Sequence, residues 1–372
     1  MSEMREYTVG ELVVNYDRLR KPLSSREREK RKGIYPYYGA TCIFDYVDDY
    51  IFDGEYILMG EDGTVINPDG SPVLQRISGK TWVNNHAHVL QNTSIIDFGY
   101  LYYALKNTNV TGAVTGAVQP KISQSNMNAL KISIHTSIAE QQKVASVLKR
   151  IDEKIEQNTR INNNLEQQAK AIYHQMFIAS SSPEWTQGTL SDIADITMGQ
   201  SPSGSSYNED GIGTVFYQGR AEFGYRFPTQ RLCTTEPKRM ARENDVLMSV
   251  RAPVGDLNVA REDCCIGRGL ASIRSKTNRQ SFVLYTVFAL QPELDKFNGE
   301  GTVFGSINRD SLNKMAIEIP TDDEMDRFES LVSPMDAQIR TNHEEILRLE
   351  TIRDALLPKL MTGELDVSAV EI

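Results

Sequence analysis

The sequence predicts a mixed α/β (α+β) protein: two globular domains separated by two long helices that form an antiparallel coiled coil, with an internal pseudo-twofold repeat. Three observations carry this. First, Val144, Leu148, Ile151, Ile155, Asn158, Asn162, Leu165, Ala169, Ile172 and Met176 fall at alternating steps of four and three, the seam of a helix that must pack on another helix. Second, Phe328, Val332, Met335, Ile339, Asn342, Ile346, Leu349, Arg353, Leu356 and Leu360 repeat that seam without a gap, so the second copy is the expected partner of the first. Third, the segments before each helix are β-rich runs punctuated by turn signals.

The repeat extends beyond the helices. Ile122, Asn128, Ile132 and Ile134 match Ile307, Asn313, Ile317 and Ile319; Gly116 and Val118 match Gly301 and Val303. Leu101-Tyr102 match Leu284-Tyr285, and Leu58-Met59 match Leu247-Met248. Tyr37-Tyr38-Gly39 is set against Tyr217-Gln218-Gly219, and Thr8, Gly10 and Leu12 against Thr186, Gly188 and Leu190. A period this long describes two homologous domains and not a solenoid.

Four regions are expected: a first domain at 1–135, the first long helix at 136–179, a second domain at 180–320, and the second helix with a tail at 321–372. In the first domain, Tyr56 to Met59 and Val110 to Val118 read as strands between the turns Asp53-Gly54, Asp62-Gly63, Asn67-Pro68-Asp69-Gly70 and Ser78-Gly79. Asp97 to Lys106 reads as a short helix. The first long helix starts near Thr136-Ser137, with Glu140 placed for a capping box, and ends before Ser180-Ser181-Ser182-Pro183. Such a helix is roughly 60 Å long. Gly199 to Tyr207 reads as a surface loop, since no Gly-Lys-Ser/Thr follows to make a phosphate loop. The second helix starts near Thr321, capped by Glu324; Pro334 is expected to break it and Pro358 to kink its end. If the helices meet at their midpoints, Asn162 faces Asn342 and holds the register. Arg353, at a seam position, is expected to face a partner protein.

At 372 residues the chain has room for two or three domains with real cores. No apolar run is long enough to span a membrane, and Met1 to Tyr7 carries no apolar signal segment, so a cytoplasmic location is expected. The formal net charge of −10 argues against a simple nucleic-acid binder. Charge is uneven, however. Arg18, Arg20, Lys21, Arg26, Arg28, Lys30, Arg31 and Lys32 crowd one segment, ahead of an acidic stretch from Asp45 to Asp69, and basic residues dominate from Arg220 to Arg279. Local basic patches bind phosphate even on an acidic protein.

Catalytic constellations are missing. The cysteines Cys42, Cys233, Cys264 and Cys265 form no CxxC pair, and Cys264-Cys265 reads as a buried strand pair. His86 and His88 are a weak metal-chelating pair, with no further ligand pattern beside them, and no metal is expected. There is no Asn/Asp-Pro-Pro-Tyr/Phe tetrapeptide, no glycine fingerprint for a nucleoside cofactor, no nuclease metal motif after Pro68-Asp69, and no Gly-x-Ser-x-Gly.

Three segments resemble the specificity subunits of type I restriction–modification systems. Ile138-Ala139-Glu140-Gln141-Gln142-Lys143-Val144-Ala145 with Ile151-Asp152-Glu153-Lys154-Ile155 is similar to that family's first helix. Ile352-Arg353-Asp354-Ala355-Leu356-Leu357-Pro358-Lys359-Leu360-Met361-Thr362-Gly363-Glu364-Leu365 is similar to its C-terminal end. Tyr207-Asn208, Phe216-Tyr217-Gln218-Gly219, Val250-Arg251-Ala252-Pro253-Val254-Gly255 and Ile266-Gly267-Arg268-Gly269-Leu270 resemble one class of its target-recognition domain. The likeness covers nearly the whole chain and departs most over residues 1–135.

The resemblance implies a non-catalytic subunit that reads a bipartite, asymmetric target in double-stranded DNA, one half-site per domain. The helices then act as a ruler that sets the half-sites about one DNA turn, 34 Å, apart. It implies two methyltransferase subunits and motor-nuclease subunits as partners, carrying S-adenosylmethionine, ATP and Mg, with no cofactor on this chain. The candidate DNA-binding residues are Arg20, Lys21, Lys32, Tyr37, Tyr38, Tyr207, Tyr217, Gln218, Arg220, Arg251 and Arg268. Arginine and glutamine pair with guanine or adenine edges, lysine holds phosphate, and tyrosine stacks or touches thymine methyls. Helix–helix seam candidates are Leu148, Ile151, Ile155, Asn158, Asn162, Leu165, Ile339, Asn342, Ile346, Leu349 and Leu356. Two other readings compete: a coiled-coil scaffold that presents two protein-binding domains and never touches DNA, and a specificity module detached from a fused methyltransferase–nuclease.

Overall fold

The computed structural model of the chain describes residues 3–116, 118–299 and 305–370. It divides into two compact units, Met1–Asn158 with Glu344–Ile372, and Thr159–His343. Both long helices, Ile138–Tyr173 and Asp322–Met361, therefore contribute one part to each unit.

In the first unit, strand Met4–Thr8 pairs antiparallel with Lys131–His135. Thr8 then caps the one-turn helix Val9–Leu12 through the Glu11 carboxylate, which accepts from its N–H and its hydroxyl at 2.7 Å each. An antiparallel sheet follows in the order Val13–Asn15, Ala87–Asn92, Tyr56–Gly60, Leu74–Ile77. A second sheet runs Ile43–Val47, Lys32–Tyr38, Lys80–Val83, Phe52–Asp53, and its central pair, Lys32–Tyr38 and Lys80–Val83, is parallel. Strand Tyr56–Gly60 is buried on both faces. Ile57 and Met59 enter the large core with Tyr100, Leu101, Val144, Leu148 and Leu360, while Tyr56 and Leu58 enter a small core with Phe52, Val83 and Val89. Alternation at period two explains the split. The small core contains no residue of either long helix.

The second unit repeats this order and adds one edge strand, Tyr207–Asn208, to its second sheet. Strand Thr186–Thr189 pairs with Ala316–Ile319, and Thr189 caps helix Leu190–Ile193 through Asp192. One sheet runs Ala194–Met198, Leu270–Ser275, Val246–Ser249, Leu257–Val259; the other runs Tyr207–Asn208, Leu232–Thr234, Thr214–Tyr217, Cys264–Ile266, Met240–Ala241. Its central pair, Thr214–Tyr217 and Cys264–Ile266, is again parallel. Val246 and Met248 enter the large core and Leu247 the small one. Cys264 and Cys265 are buried in strand as expected, and burial pushes the Cys264 thiol up to about 12. Helix Phe98–Lys106, with Asp97 at its N-cap, corresponds to Gln280–Ala289.

The duplication is real, but two matches slip in register. Val9 N donates to Leu130 O as Leu190 N donates to Met315 O, so Thr8 corresponds to Thr189 and not to Thr186. The deciding feature is the acid three residues on, Glu11 or Asp192, which closes the cap. Likewise Asn84 N donates to Tyr38 O (3.0 Å) as Gly267 N donates to Tyr217 O (2.8 Å), so Tyr38, not Tyr37, corresponds to Tyr217. A one-residue slip in a strand exchanges its faces. Gly301 and Val303 lie outside the described residues.

The first long helix begins as expected: Ser137 Oγ accepts from Glu140 N at 3.4 Å, and a π-type turn at His174–Ile178 ends it. The second begins with the full Thr321–Glu324 box. The expected break at Pro334 is absent, and the helix runs on through Pro358 to Met361. Phe328 and Val332 before Pro334, and Ile339 after it, enter one core, with Met335 packed against it. That burial outweighs a lost helical hydrogen bond and ring clash of about 3 kcal/mol. Leu357 and Leu360 flank Pro358 in the core of the first unit.

Within each unit the helix segments pair antiparallel. In the first, Asp152 meets Arg353 at 3.0 Å and Asn158 Nδ2 donates to Glu345 at 2.8 Å. In the second, Asn342 Nδ2 donates to Asn162 Oδ1 at 2.8 Å, Asn162 Nδ2 donates to Ile339 O, and Asn342 Oδ1 accepts from Gln338. Leu148 and Ile339 are fully buried; Ile151, Ile155, Leu165, Ile346, Leu349 and Leu356 are half-buried. Arg353, expected to face a partner protein, is engaged within its own unit. Its guanidinium pairs with Asp152, whose other oxygen accepts from Tyr103 OH at 2.8 Å.

All four turn signals hold a glycine at positive φ: Gly54, Gly63, Gly70 and Gly79. The run from Val110 to Val118 is not one strand. Thr111–Ala113 form a 3-10 turn and only Val114–Thr115 pair, with Lys121–Ile122; residue 117 lies outside the described residues. Thr111 N donates to Asn109 Oδ1, so local turn chemistry overrides β-propensity there.

Candidate nucleic-acid interface

In both units the chain crosses from the small sheet to the large one over three residues. In the second unit these are Gly267-Arg268-Gly269, between Cys264–Ile266 and Leu270–Ser275. Gly267 N donates to Tyr217 O, Gly269 O accepts from Val250 N at 2.9 Å, and Arg268 N donates to Ser201 Oγ at 3.2 Å. A Cβ at Gly267 would sit 2.7 Å from Gln218 O, so only glycine allows this approach. Gln200 N donates to Ile266 O, and Arg251 bridges to Ser306. The surface loop at 199–206, the tip at Gln218, Arg251 and Arg268 are thus one backbone-bonded cluster beside the small core. Gln218, Arg251 and Arg268 are exposed, with no side-chain ion pair or hydrogen bond among the described residues.

The other candidates of this unit are committed within the fold. Tyr217 is buried in the small core, and desolvation raises its phenol well above the usual range. Tyr207 is half-buried, donates to Pro202 O at 3.1 Å and packs on Phe216 at 4.8 Å. Arg220 is exposed but pairs with Asp256.

In the first unit the corresponding crossing is Asn84-Asn85-His86, between Lys80–Val83 and Ala87–Asn92. Asn84 N donates to Tyr38 O, and His86 O accepts from Glu61 N at 2.8 Å, as Gly269 O accepts from Val250 N. Asp62 bridges to Lys121 where Arg251 bridges to Ser306. Asn84 is buried, its Oδ1 accepting from His86 N, and His86 Nδ1 pairs with Asp62. Asn85 alone turns an exposed side chain outward without a partner among the described residues.

Several first-unit candidates need correction. Arg20 is not free for phosphate: it sits 2.6 Å from Glu61 and 3.5 Å from Asp17, and donates to Ala87 O. Lys32 pairs with Asp45 at 2.7 Å, and Arg31 with Asp48 at 2.8 Å, so the end of the basic run is neutralised by the start of the acidic run across one hairpin. Lys32 and its neighbouring H-bond donor Tyr46 N hold the Asp45 carboxyl below its ordinary range. Tyr37 is buried and its oxygen accepts from Leu23 N at 2.9 Å. Tyr38 is half-buried against the small core. Lys21 remains exposed and unpaired among the described residues.

His86 and His88 do not converge on a metal. His88 is buried, with Nδ1 2.6 Å from Asp17 and Nε2 2.9 Å from Ile122 O. Asp17, Glu61 and His88 do place donor atoms within 4.8 Å of one another. Arg20 and Lys121 (3.3 Å from Glu61) already balance those carboxylates, so the residues fit an ion-pair network better than a cation site. Burial alone would raise Asp17, but hydrogen bonds and charge from His88, with Asn15 and Val89 N–H, bring it below its ordinary value.

Sequence reasoning missed Asn85, His86 with Asp62, and the Arg20 network. The sequence match of Leu58-Met59 to Leu247-Met248 is half of the signal; only the strand pairing of the fold carries it across and sets Val83 to Ala87 against Ile266 to Leu270 at equal length.

Comparison with known proteins agrees with this architecture. The family described as "Type I restriction modification DNA specificity domain" matches residues 1–167 and 183–351. The chain is 32% identical over 302 residues to the type I restriction enzyme MjaX specificity subunit of Methanocaldococcus jannaschii, covering 74% of this chain and 70% of that protein. It is 24% identical over 304 residues to the MjaIX specificity subunit of the same organism, covering 72% and 69%. The crystal structure of a type I restriction-modification S subunit from M. genitalium shares the fold, with a TM-score of 0.67 over 96% of each chain at 16% identity.

Proposed function

This chain belongs to the type I restriction–modification DNA specificity family, and from that premise we propose that it reads a split, asymmetric DNA target, one half-site per unit. The observation that supports this best is a duplicated scaffold with unlike tips. Apart from the extra edge strand Tyr207–Asn208 of the second, both units carry the same strand order, and they share the same backbone bonds at the crossing loop, yet one tip presents Arg268, Arg251 and Gln218 and the other Asn85. Two copies of one platform with different donors suit two unlike half-sites.

In this reading the chain is non-catalytic and binds no cofactor of its own. Two methyltransferase subunits supply S-adenosylmethionine and methylate adenine, and motor-nuclease subunits, using ATP and Mg, cut unmodified DNA. The complex works in the cytoplasm; no helix among the described residues is long and apolar enough to cross a membrane. Lys21 and the other exposed cations hold phosphates, which makes binding steeply salt-dependent.

The test is a map of methylated adenines in cells expressing this chain with its neighbouring methyltransferase. A single split, asymmetric motif that vanishes when the chain is omitted is expected. With both proteins expressed and associated, the absence of chain-dependent methylation would count against DNA reading.

A further inference from the structure

The crossing loops allow a finer assignment, which rests on the reading above. The loop is held alike in both units. Its first residue donates to a strand-end carbonyl, Tyr38 or Tyr217, and its third accepts from Glu61 N or Val250 N. The middle residue is left as the one whose side chain points to solvent. It is Asn85 in the first unit and Arg268 in the second, and both are exposed without a side-chain partner among the described residues. The flanking positions are closed to readout. Asn84 and His86 are tied to the loop and to Asp62, while Gly267 and Gly269 have no side chain. Asp62, the counterpart of Arg251, is likewise engaged by His86. A side chain on a backbone fixed at both ends meets the demand of base readout, where a small displacement loses the paired hydrogen bonds.

We propose that Asn85 and Arg268 are the paired specificity residues of the two units, with Asn85 reading an adenine edge and Arg268 a guanine edge in the major groove. The chemistry follows from the donors. The planar guanidinium of Arg268 offers two parallel N–H groups, which match guanine O6 and N7. The amide of Asn85 offers one donor and one acceptor, which match adenine N7 and N6. Neither arrangement satisfies the other base, so the duplicated position by itself makes the half-sites unlike.

The experiment uses the full chain with its partner methyltransferase and compares methylation motifs for the unaltered protein, Arg268→Ala, Asn85→Ala and Lys21→Ala. Binding is also measured by competition with duplexes altered at single positions, so that a variant that fails to methylate is still informative. Arg268→Ala is expected to lower discrimination at one guanine by roughly ten- to a hundredfold, leaving the other half-site intact. Asn85→Ala should do the same at one adenine in the opposite half-site. Lys21→Ala should weaken binding across all sequences and leave the motif alone. An unchanged motif, uniform weakening by either variant, or relaxation at the wrong base would overturn the assignment while the general reading stands. If the unaltered chain directs no motif at all, the general reading falls and this assignment with it.

Discussion

Asp17 shows how the role of a single side chain is set by its neighbourhood in space and not by its neighbourhood in sequence. It lies beside the basic run from Arg18 to Lys32, yet its carboxylate serves His88, Arg20 and the Val89 N–H. Because its folded pKa lies below the unfolded value near 3.9, the stability it contributes is present above about pH 4 and lost as pH falls through the folded value. Asp17→Asn should therefore cost about 3 kcal/mol at neutral pH, since it leaves His88 and Arg20 facing a neutral amide, and the cost should shrink below pH 4. Urea midpoints of both proteins from pH 3 to 7 check this; a cost that stays constant across the range would contradict it. The Asn162–Asn342 pair makes a different point. Its amides satisfy one another and their neighbours, so it costs little while penalising other registers. Replacing both with leucine should keep or raise thermal stability, and should broaden the register of the paired segments, as seen by cysteine cross-linking along the seam.

Among elements, the second long helix departs most from expectation. Proline is a strong local breaker, but Pro334 lies between residues that one core buries, so the tertiary term decides. Pro334→Ala restores a helix donor in a backbone already helical. It should raise stability by about 1–3 kcal/mol, readable as a higher melting temperature of the complex-free chain. A lower melting temperature would mean that the proline itself packs in a way alanine cannot replace. The two long helices carry a duplicated acid, Asp152 on the first and Asp336 on the second. Asp152 joins Tyr103 to Arg353 in the first unit, and Asp336 joins Tyr285 to Arg226 in the second. Burial works against the Arg226 charge, but Asp336 beside it outweighs that and holds the guanidinium above its ordinary pKa. The arginine comes from a helix in one case and from a loop in the other. Pairing chemistry is kept while the donor's place in the chain is not.

For the whole molecule, duplication is the governing fact. Each unit is built from a globular part and portions of both long helices, so neither half of the sequence makes a unit by itself. On the proposed function, removing one heptad from the first long helix should change the spacer between half-sites or abolish methylation, with half-site sequences unchanged. Motif mapping reads this directly. Altered half-sites at an unchanged spacer would count against the helices as the spacing element.

The sequence by itself determined the heptad seams, the antiparallel partner within the chain, the Asn162–Asn342 contact, the caps at Ser137 and Thr321, and the strand-and-turn character of the domains. These depend on period, spacing and local chemistry, which a linear string carries intact. The tertiary structure alone decided the strand register of the repeat, the continuity of the helix through Pro334, and which polar residues are free. A face-exchanging slip of one residue is nearly invisible in composition but is settled by backbone bonds such as that from Gly267 to Tyr217. Whether a charge is available depends on which opposite charge the fold brings to it: Lys32 and Arg20 are consumed by Asp45 and Glu61, while Arg268 is not. That is a property of distance in space, and sequence separation does not encode it.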